Sequence, residues 1–248
     1  MDESTRRTLE AINRRFYADR AQDFDSSRTR AWQGWSRALV GLPRSGLRVL
    51  DLGCGNGRLL AHLVEQGSSF AQLLGVDNCR ALIELARERY GSGSSTARFE
   101  CADLVDRNGV PTLPAGDFDL VALMGVLHHV PSQGARRALV HAAFDRVGAG
   151  GKLVLTVWRF EHDSRLSKRT IAWPAAIAGD PLLATLDLGQ LEPGDTLLQW
   201  NKGARAIRYC HAIAAAEIDR WLEDLPASVE RFFADGEGEL NEYVVLQR

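Results

Sequence analysis

The spacing of apolar positions changes several times along this chain, and each change marks an element. Between Thr5 and Tyr17, Leu9, Ile12 and Phe16 recur every three or four residues in a polar stretch, which predicts an amphipathic helix. Trp32–Leu42 predicts a second helix, ended by the breaker-rich "GLPRSG". Short apolar runs then alternate with helical ones. Arg48–Leu52, Gln72–Val76, Ala97–Cys101, Phe118–Met124 and Lys152–Trp158 predict strands. Gly57–Gln66, Cys79–Tyr90 and Ser132–Val147 predict helices between them, with an irregular stretch near Val105. "LRVLDL" and "FDLVALM" are apolar at consecutive positions, as strands covered on both faces of a parallel sheet require. Alternating β and α units predict a doubly wound α/β sheet.

The order breaks after Trp158. Arg159–Ala206 is rich in Pro, Gly, Trp and charge, shows no clear period, and predicts an insertion or lid. Ala212–Leu225 predicts a helix, and "SVERFFAD" and "NEYVVLQR" around "GEGEL" predict a β-hairpin. The 248 residues thus read as a single domain with four parts: an N-terminal helical segment (1–46), a core (47–158), an insertion (159–211), and a C-terminal helix and hairpin (212–248).

Composition narrows the class without choosing a function. Hydrophobic content of 45% and charged content of 25% are those of an average soluble globular protein. The net charge of −2 points to no acidic or basic specialisation, but its distribution is uneven. Residues 1–48 hold ten arginines against six acids, and residues 217–242 hold nine acids against two arginines. Two solvated helical faces account for this, or a basic arm that meets a polyanion. The four cysteines, Cys54, Cys79, Cys101 and Cys210, have no CxxC spacing, so reduced thiols, no metal site and a cytoplasmic setting are expected. "MDESTRRTLE" is too polar for a signal peptide, and no run approaches the roughly 18 apolar residues of a membrane span.

The chemistry concentrates in "VLDLGCGNGRLLAHL". Gly53, Gly55 and Gly57 form GxGxG, and Arg58 stands where a dinucleotide fingerprint needs its third glycine. No Gly-Lys-Ser/Thr ending makes it a P-loop. Asp51, ending the strand before the loop, repels pyrophosphate and attracts an ammonium group. Asp77 ends the next strand, 24 residues after Gly53, the reach at which such sites place a carboxylate on ribose hydroxyls. Asp103 follows the third strand, where it meets an exocyclic amine. An amino acid, a ribose and an adenine together match the three acids, and S-adenosylmethionine carries all three.

On "DLGCGNG", "GVD" and "CAD" the chain resembles the class I S-adenosylmethionine-dependent methyltransferases over roughly residues 47–158 and the terminal hairpin. The resemblance implies a seven-stranded, mostly parallel, Rossmann-like sheet whose last strand, here Asn241–Gln247, is antiparallel. It implies a cofactor site at Arg28, Asp51, Gly53, Cys54, Gly55, Gly57, Asp77, Asn78, Asp103, Leu104 and Met124. "MGVLHHVPS" follows the fourth strand. Of its two histidines, His129 is the expected site residue, while His128 serves equally well as a packing residue.

"FDSSRTRAW", "LTVWRFEH" and "LLQWNKGARAIRYCHAI" further resemble the tRNA wobble-uridine carboxymethyl methyltransferase family. Phe24, Ser27, Arg28 and Trp32 match its first motif, Trp158 its second, and Trp200, Arg208, Tyr209 and His211 its third. Gln199, Cys210 and "WRFEH" depart from it. The resemblance implies methyl esterification of a carboxymethyl uridine in tRNA, together with a small zinc-ribbon activator subunit. Arg28, Arg208 and His211 are then the expected carboxylate clamp, with Trp200 and Trp158 either stacking on a base or packing the lid. A small-molecule O- or N-methyltransferase of bacterial secondary metabolism is the alternative.

Overall fold

Leu47, Val49, Leu50 and Leu52 are all fully buried, because their strand lies at the centre of a sheet covered on both faces. The computed structural model describes residues 1–28, 30–91, 96–160, 164–200, 206–234 and 240–248. In chain order its elements are α1 (Glu3–Ser27), α2 (Trp35–Ala38), β1 (Leu47–Leu52), α3 (Arg58–Glu65), β2 (Phe70–Asp77), α4 (Arg80–Tyr90), β3 (Ala97–Cys101), β4 (Phe118–Met124) and α5 (Gln133–Phe144). There follow β5 (Val147–Trp158), α6 (Ser164–Ser167), β6 (Thr170–Ile171), α7 (Trp173–Gly179), β7 (Asp195–Trp200), β8 (Ala206–His211), α8 (Ala215–Leu222), β9 (Ser228–Phe233) and β10 (Asn241–Gln247).

The main sheet has the order β3-β2-β1-β4-β5-β10-β9. β1 pairs in parallel with β2 and β4, and β10 runs antiparallel between β5 and β9. The expected terminal hairpin therefore forms, although most of its "GEGEL" turn lies outside the described residues. Two apolar clusters cover the faces, one with α5 and α8 and the other with α3, α4 and Trp35. The carboxyl ends of β1 to β4 open on one crevice, where folds of this winding take ligands.

The largest departures from the sequence reading come from long-range packing. α1 does not end at Tyr17 but runs to Ser27, with non-helical angles at Arg20. Asp2 caps it by accepting from the Thr5 backbone N–H at 2.8 Å. Ala21 and Phe24 hold the extra turns against Cys79 and Leu82. The helix expected over Trp32–Leu42 shrinks to Trp35–Ala38. Its Gly34 packs so close to Tyr243 that a Cβ there would lie 2.3 Å from the ring. The insertion, without a period of its own, forms an antiparallel sheet in the order β6-β7-β8. Leu9 and Ile12 of α1 pack on Leu197 and Tyr209 of that sheet, so the N-terminal helix and the insertion share a small core.

Candidate active site

The glycine loop is built by its neighbours as much as by its glycines. Gly53 and Cys54 donate backbone N–H bonds to the Val76 carbonyl at 2.7 and 3.1 Å. The Asp77 carboxylate accepts from the Gly55 N–H at 2.9 Å with one oxygen and from the Cys79 N–H at 2.8 Å with the other. Gly53 has φ +75°, and a Cβ there would come within 2.3 Å of Val126 Cγ2. Gly53→Ala is therefore expected to cost about 1–3 kcal/mol of stability from backbone strain alone. A urea midpoint equal to that of the parent protein would contradict this.

A cavity of about 1350 Å3, counting its open mouth, lies against this loop. Cys54, Asn78, Leu104 and Met124 line it, together with Asp51, Gly53, Gly55, Asp77 and Asp103. Gly57 does not. At φ +78° it turns the chain into α3, and a Cβ there would press on Tyr90 at 3.0 Å. Asp51 is 6% exposed and makes no hydrogen bond or ion pair among the described residues. Burial, and secondarily the Asp77 charge, push its carboxyl up to about 7. A buried carboxyl that forms no ion pair among the described residues, with Arg58 only partly offsetting its raised pKa, suits the ammonium of an amino acid. Asp103 accepts from Asn78 at 3.0 Å and from Arg14 of α1 at 2.8 Å, both through Oδ1. These acids, the close-packed glycines and the apolar Leu82 and Met124 fit S-adenosylmethionine.

α1 roofs the cavity with Glu10, Asn13, Arg14, Tyr17 and Phe24, and Arg28 follows it. Asp25 ties this roof down by accepting two bonds from Arg89, each 2.6 Å, and one from Asn56 of the glycine loop at 2.8 Å. Apart from Phe24 and Arg28, none of these contributors was expected from the sequence. The available signal was the polar-aromatic run "NRRFYADR", whose Asn13 and Tyr17 share a helix face.

At the far end, beyond Met124, both histidines line the cavity but are held differently. His129 has both ring nitrogens tied: Nδ1 lies 3.0 Å from the Tyr209 carbonyl and Nε2 lies 2.8 Å from the Tyr17 hydroxyl. Because the carbonyl only accepts, Nδ1 carries the proton and Nε2 accepts from Tyr17. Its enclosure, and then the Arg208 charge, drive the His129 pKa down to about 3, while burial pushes Tyr17 up to about 12. His128 is fully buried and stacks on Trp158 at 4.0 Å, and neither of its ring nitrogens has a partner among the described residues.

Arg208 is 5% exposed and lies over Trp158 at 4.8 Å, flanked by Phe16 and Trp200. It makes no ion pair among the described residues, and none to the insertion's Glu192 or Asp195. Those acids belong to Arg136, His211 and Tyr209. His211 is thereby removed from the expected clamp. It lies outside the cavity, 2.7 Å from Asp195 and 3.0 Å from Glu217, where these bonds overcome burial and raise its pKa. Trp200 also fails to reach the cavity and backs Arg208 instead. Trp158 does line it.

Comparison with known proteins agrees with this architecture. Residues 49–151 match the family described as a methyltransferase domain. A putative methyltransferase of Encephalitozoon cuniculi (strain GB-M1) is 32% identical over 176 residues, 70% of this chain and 73% of that protein. The tRNA (carboxymethyluridine(34)-5-O)-methyltransferase alkbh8 of Xenopus tropicalis is 31% identical over 152 residues, 61% of this chain. The match spans 22% of that longer relative. A solved S-adenosylmethionine-dependent methyltransferase from Clostridium acetobutylicum ATCC 824 aligns with a TM-score of 0.64 at 13% identity, over 94% of this chain and 98% of that one. Sheet order, glycine loop and sequence likeness agree, and the chain belongs to the class I S-adenosylmethionine-dependent methyltransferases, with S-adenosylmethionine as its cofactor.

Proposed function

We propose that this enzyme esterifies a carboxylate, and that the carboxylate is a carboxymethyl group on the wobble uridine of tRNA. The supporting observation is the pair of guanidinium groups, Arg28 and Arg208, that line the acceptor end with no acid beside either among the described residues. Cations held in an aromatic cavity without counter-charge are costly, and an anion offsets that cost. A carboxylate with a pKa near ~4 is already ionised and needs no general base. This matches a site whose His129 and Tyr17 titrate far from neutrality and bond to each other.

The cofactor supplies a methyl group on a sulfonium: the acceptor oxygen bonds to it as the carbon–sulfur bond breaks, the electron pair stays on sulfur, and no proton is released. Asp51 would hold the cofactor's ammonium, Asp77 its ribose hydroxyls, and Asp103 with Asn78 its adenine edge, between Leu104 and Met124. Asp51 then links binding to pH. Its folded pKa of about 7 stands above the ordinary 3.8, so its contribution to the free protein's stability is lost as pH rises through that interval. Binding an ammonium favours the ionised form. At pH 7, S-adenosylmethionine is expected to expel roughly half a proton per site, and to bind roughly fivefold more weakly at pH 6. Calorimetric heats independent of buffer ionisation enthalpy, or an unchanged pH profile in Asp51→Asn, would contradict it.

The frog relative and the motifs around Arg28 and Arg208 favour tRNA as acceptor. The arginine-rich arm contributes less than its sum implies, since six of its ten arginines pair with acids among the described residues. Arg208, His128 and Trp158 are each under 10% exposed, which favours a second reading, a small free carboxylic acid. Labelled S-adenosylmethionine, bulk tRNA lacking the wobble ester, and the zinc-ribbon activator of the resembled family separate the two. The first reading expects label on tRNA that mild alkali releases as methanol. Alkali-labile label on small acids alone selects the second, and alkali-stable label rejects both.

A further inference from the structure

His128 has no role in the site as built so far. Its ring is 0% exposed, lines the cavity, lies flat on Trp158 with 16° between the planes, and has its centroid 4.3 Å from that of His129. A buried histidine normally bonds through at least one nitrogen, and among the described residues neither of these does. His129, the next residue, has both nitrogens engaged. Arg208, which shares the Trp158 ring, forms no ion pair with an acid among the described residues.

The geometry points to His128 as the residue that contacts the methyl acceptor, its imidazole N–H donating to the carboxylate that Arg28 and Arg208 attract. This rests on the carboxylate reading above. Stacking on Trp158 fixes the ring plane, so the donor is oriented before the acceptor arrives. A neutral donor suits this reaction better than a third cation. The acceptor is an anion before transfer and a neutral ester afterwards. Each fixed positive charge therefore stabilises the reactant more than the developing product. A neutral N–H holds either form. Burial first, and also the positive charges of Arg208 and Arg28, keep His128 uncharged. His129 acts differently: its hydrogen bonds hold Tyr17 and the Tyr209 carbonyl in place.

The test uses the full chain saturated with S-adenosylhomocysteine and titrated with sodium acetate, with sodium chloride as the ionic-strength control. Nitrogen-15 imidazole spectra report each histidine. The expected result is a saturable shift of the His128 resonances and none for those of His129. The His128→Phe variant, which keeps a ring on Trp158, is expected to bind acetate at least about tenfold more weakly with unchanged S-adenosylhomocysteine affinity. His128→Gln, which restores an N–H, should recover most of that loss. In turnover, His128→Phe should raise the acceptor KM and lower kcat, with His128→Gln intermediate. Acetate binding unaffected by His128→Phe, shifts confined to His129, or no acetate binding by the parent protein would each overturn the inference. Should His128→Phe fold poorly, the parent spectra and His128→Gln still decide. Acetate shifts at His128 without methylation of tRNA would sink the tRNA reading alone. Full tRNA methylation by His128→Phe would sink this inference and leave that reading standing.

Discussion

Arg208→Met is expected to lower kcat/KM for carboxylate methylation by about 10²–10³, to leave S-adenosylhomocysteine affinity within about twofold, and to keep or raise Tm. These outcomes share one cause. The guanidinium is 5% exposed, lies on Trp158, and has no acid among the described residues. In the free protein it is a desolvated charge whose compensation is limited to aromatic faces, each worth about 0.5–2 kcal/mol. Removing it therefore does not weaken the fold. Under the carboxylate reading it is one of two cations that meet the acceptor, and losing one partner of a desolvated ion pair costs about 2–5 kcal/mol. Methionine refills the volume between Phe16, Trp158 and Trp200 without the charge. A falling Tm with activity following the folded fraction would make Arg208 a structural residue. Equal losses of acceptor turnover and cofactor affinity would move it to the cofactor half of the site.

The second large effect concerns stability. Arg136 is fully buried on α5 and holds the insertion to the core. It donates to Glu217 at 2.6 Å, to Glu192 at 2.8 Å and to the Val130 carbonyl at 3.0 Å, and lies 3.0 Å from His211. Glu192 and His211 belong to the insertion, Glu217 to α8, and Val130 to the turn after His129. Arg136→Met takes the guanidinium from two carboxylates, leaving Glu217 with His211 alone, and breaking such a group from one side costs about 3–5 kcal/mol. For a chain of this size each kcal/mol moves Tm by roughly 2–4 °C, so a loss of roughly 6–20 °C is expected in thermal unfolding. Below the new Tm, methylation should fall as well, because Tyr209, whose carbonyl fixes His129, sits in the same sheet as His211 and bonds Asp195 at 2.6 Å. A Tm shift under about 2 °C would mean that packing, and not this ion network, fastens the insertion. Glu217→Gln should be milder, since it removes one charge and keeps an acceptor for Arg136.

The two predictions divide the insertion's charged residues by what each faces. Arg208 and His211 lie three residues apart on one short strand. A strand turns successive side chains to opposite faces, so an odd separation puts one toward the cavity and the other away from it. "RYCH" by itself does not reveal which is which. The face is chosen by Leu9 and Ile12 of α1, which pack on Tyr209 from a distance of nearly 200 residues.

Where local chemistry dominates, the sequence was sufficient. β3 and β4 fall on their expected residues, Ala97–Cys101 and Phe118–Met124, because doubly apolar strands between turns leave the chain few choices. Gly53 and Gly55, Asp51, Asp77 and Asp103 line one cavity because strand ends and a tight loop fix them within a few residues. Arg58 in place of a glycine and an acid before the loop sufficed to reject a dinucleotide. The tertiary structure alone decided the hydrogen-bond partners at the far end of the cavity. His128 and His129 are chemically identical neighbours, separated only by Tyr17 and the Tyr209 carbonyl, 112 and 80 residues away in sequence. Whether Arg208 is paired, whether His211 reaches the cavity, and how far α1 runs are likewise set by groups brought together only by folding. Hydrogen-bond partners and desolvation are properties of a three-dimensional neighbourhood, and residue spacing carries no record of them.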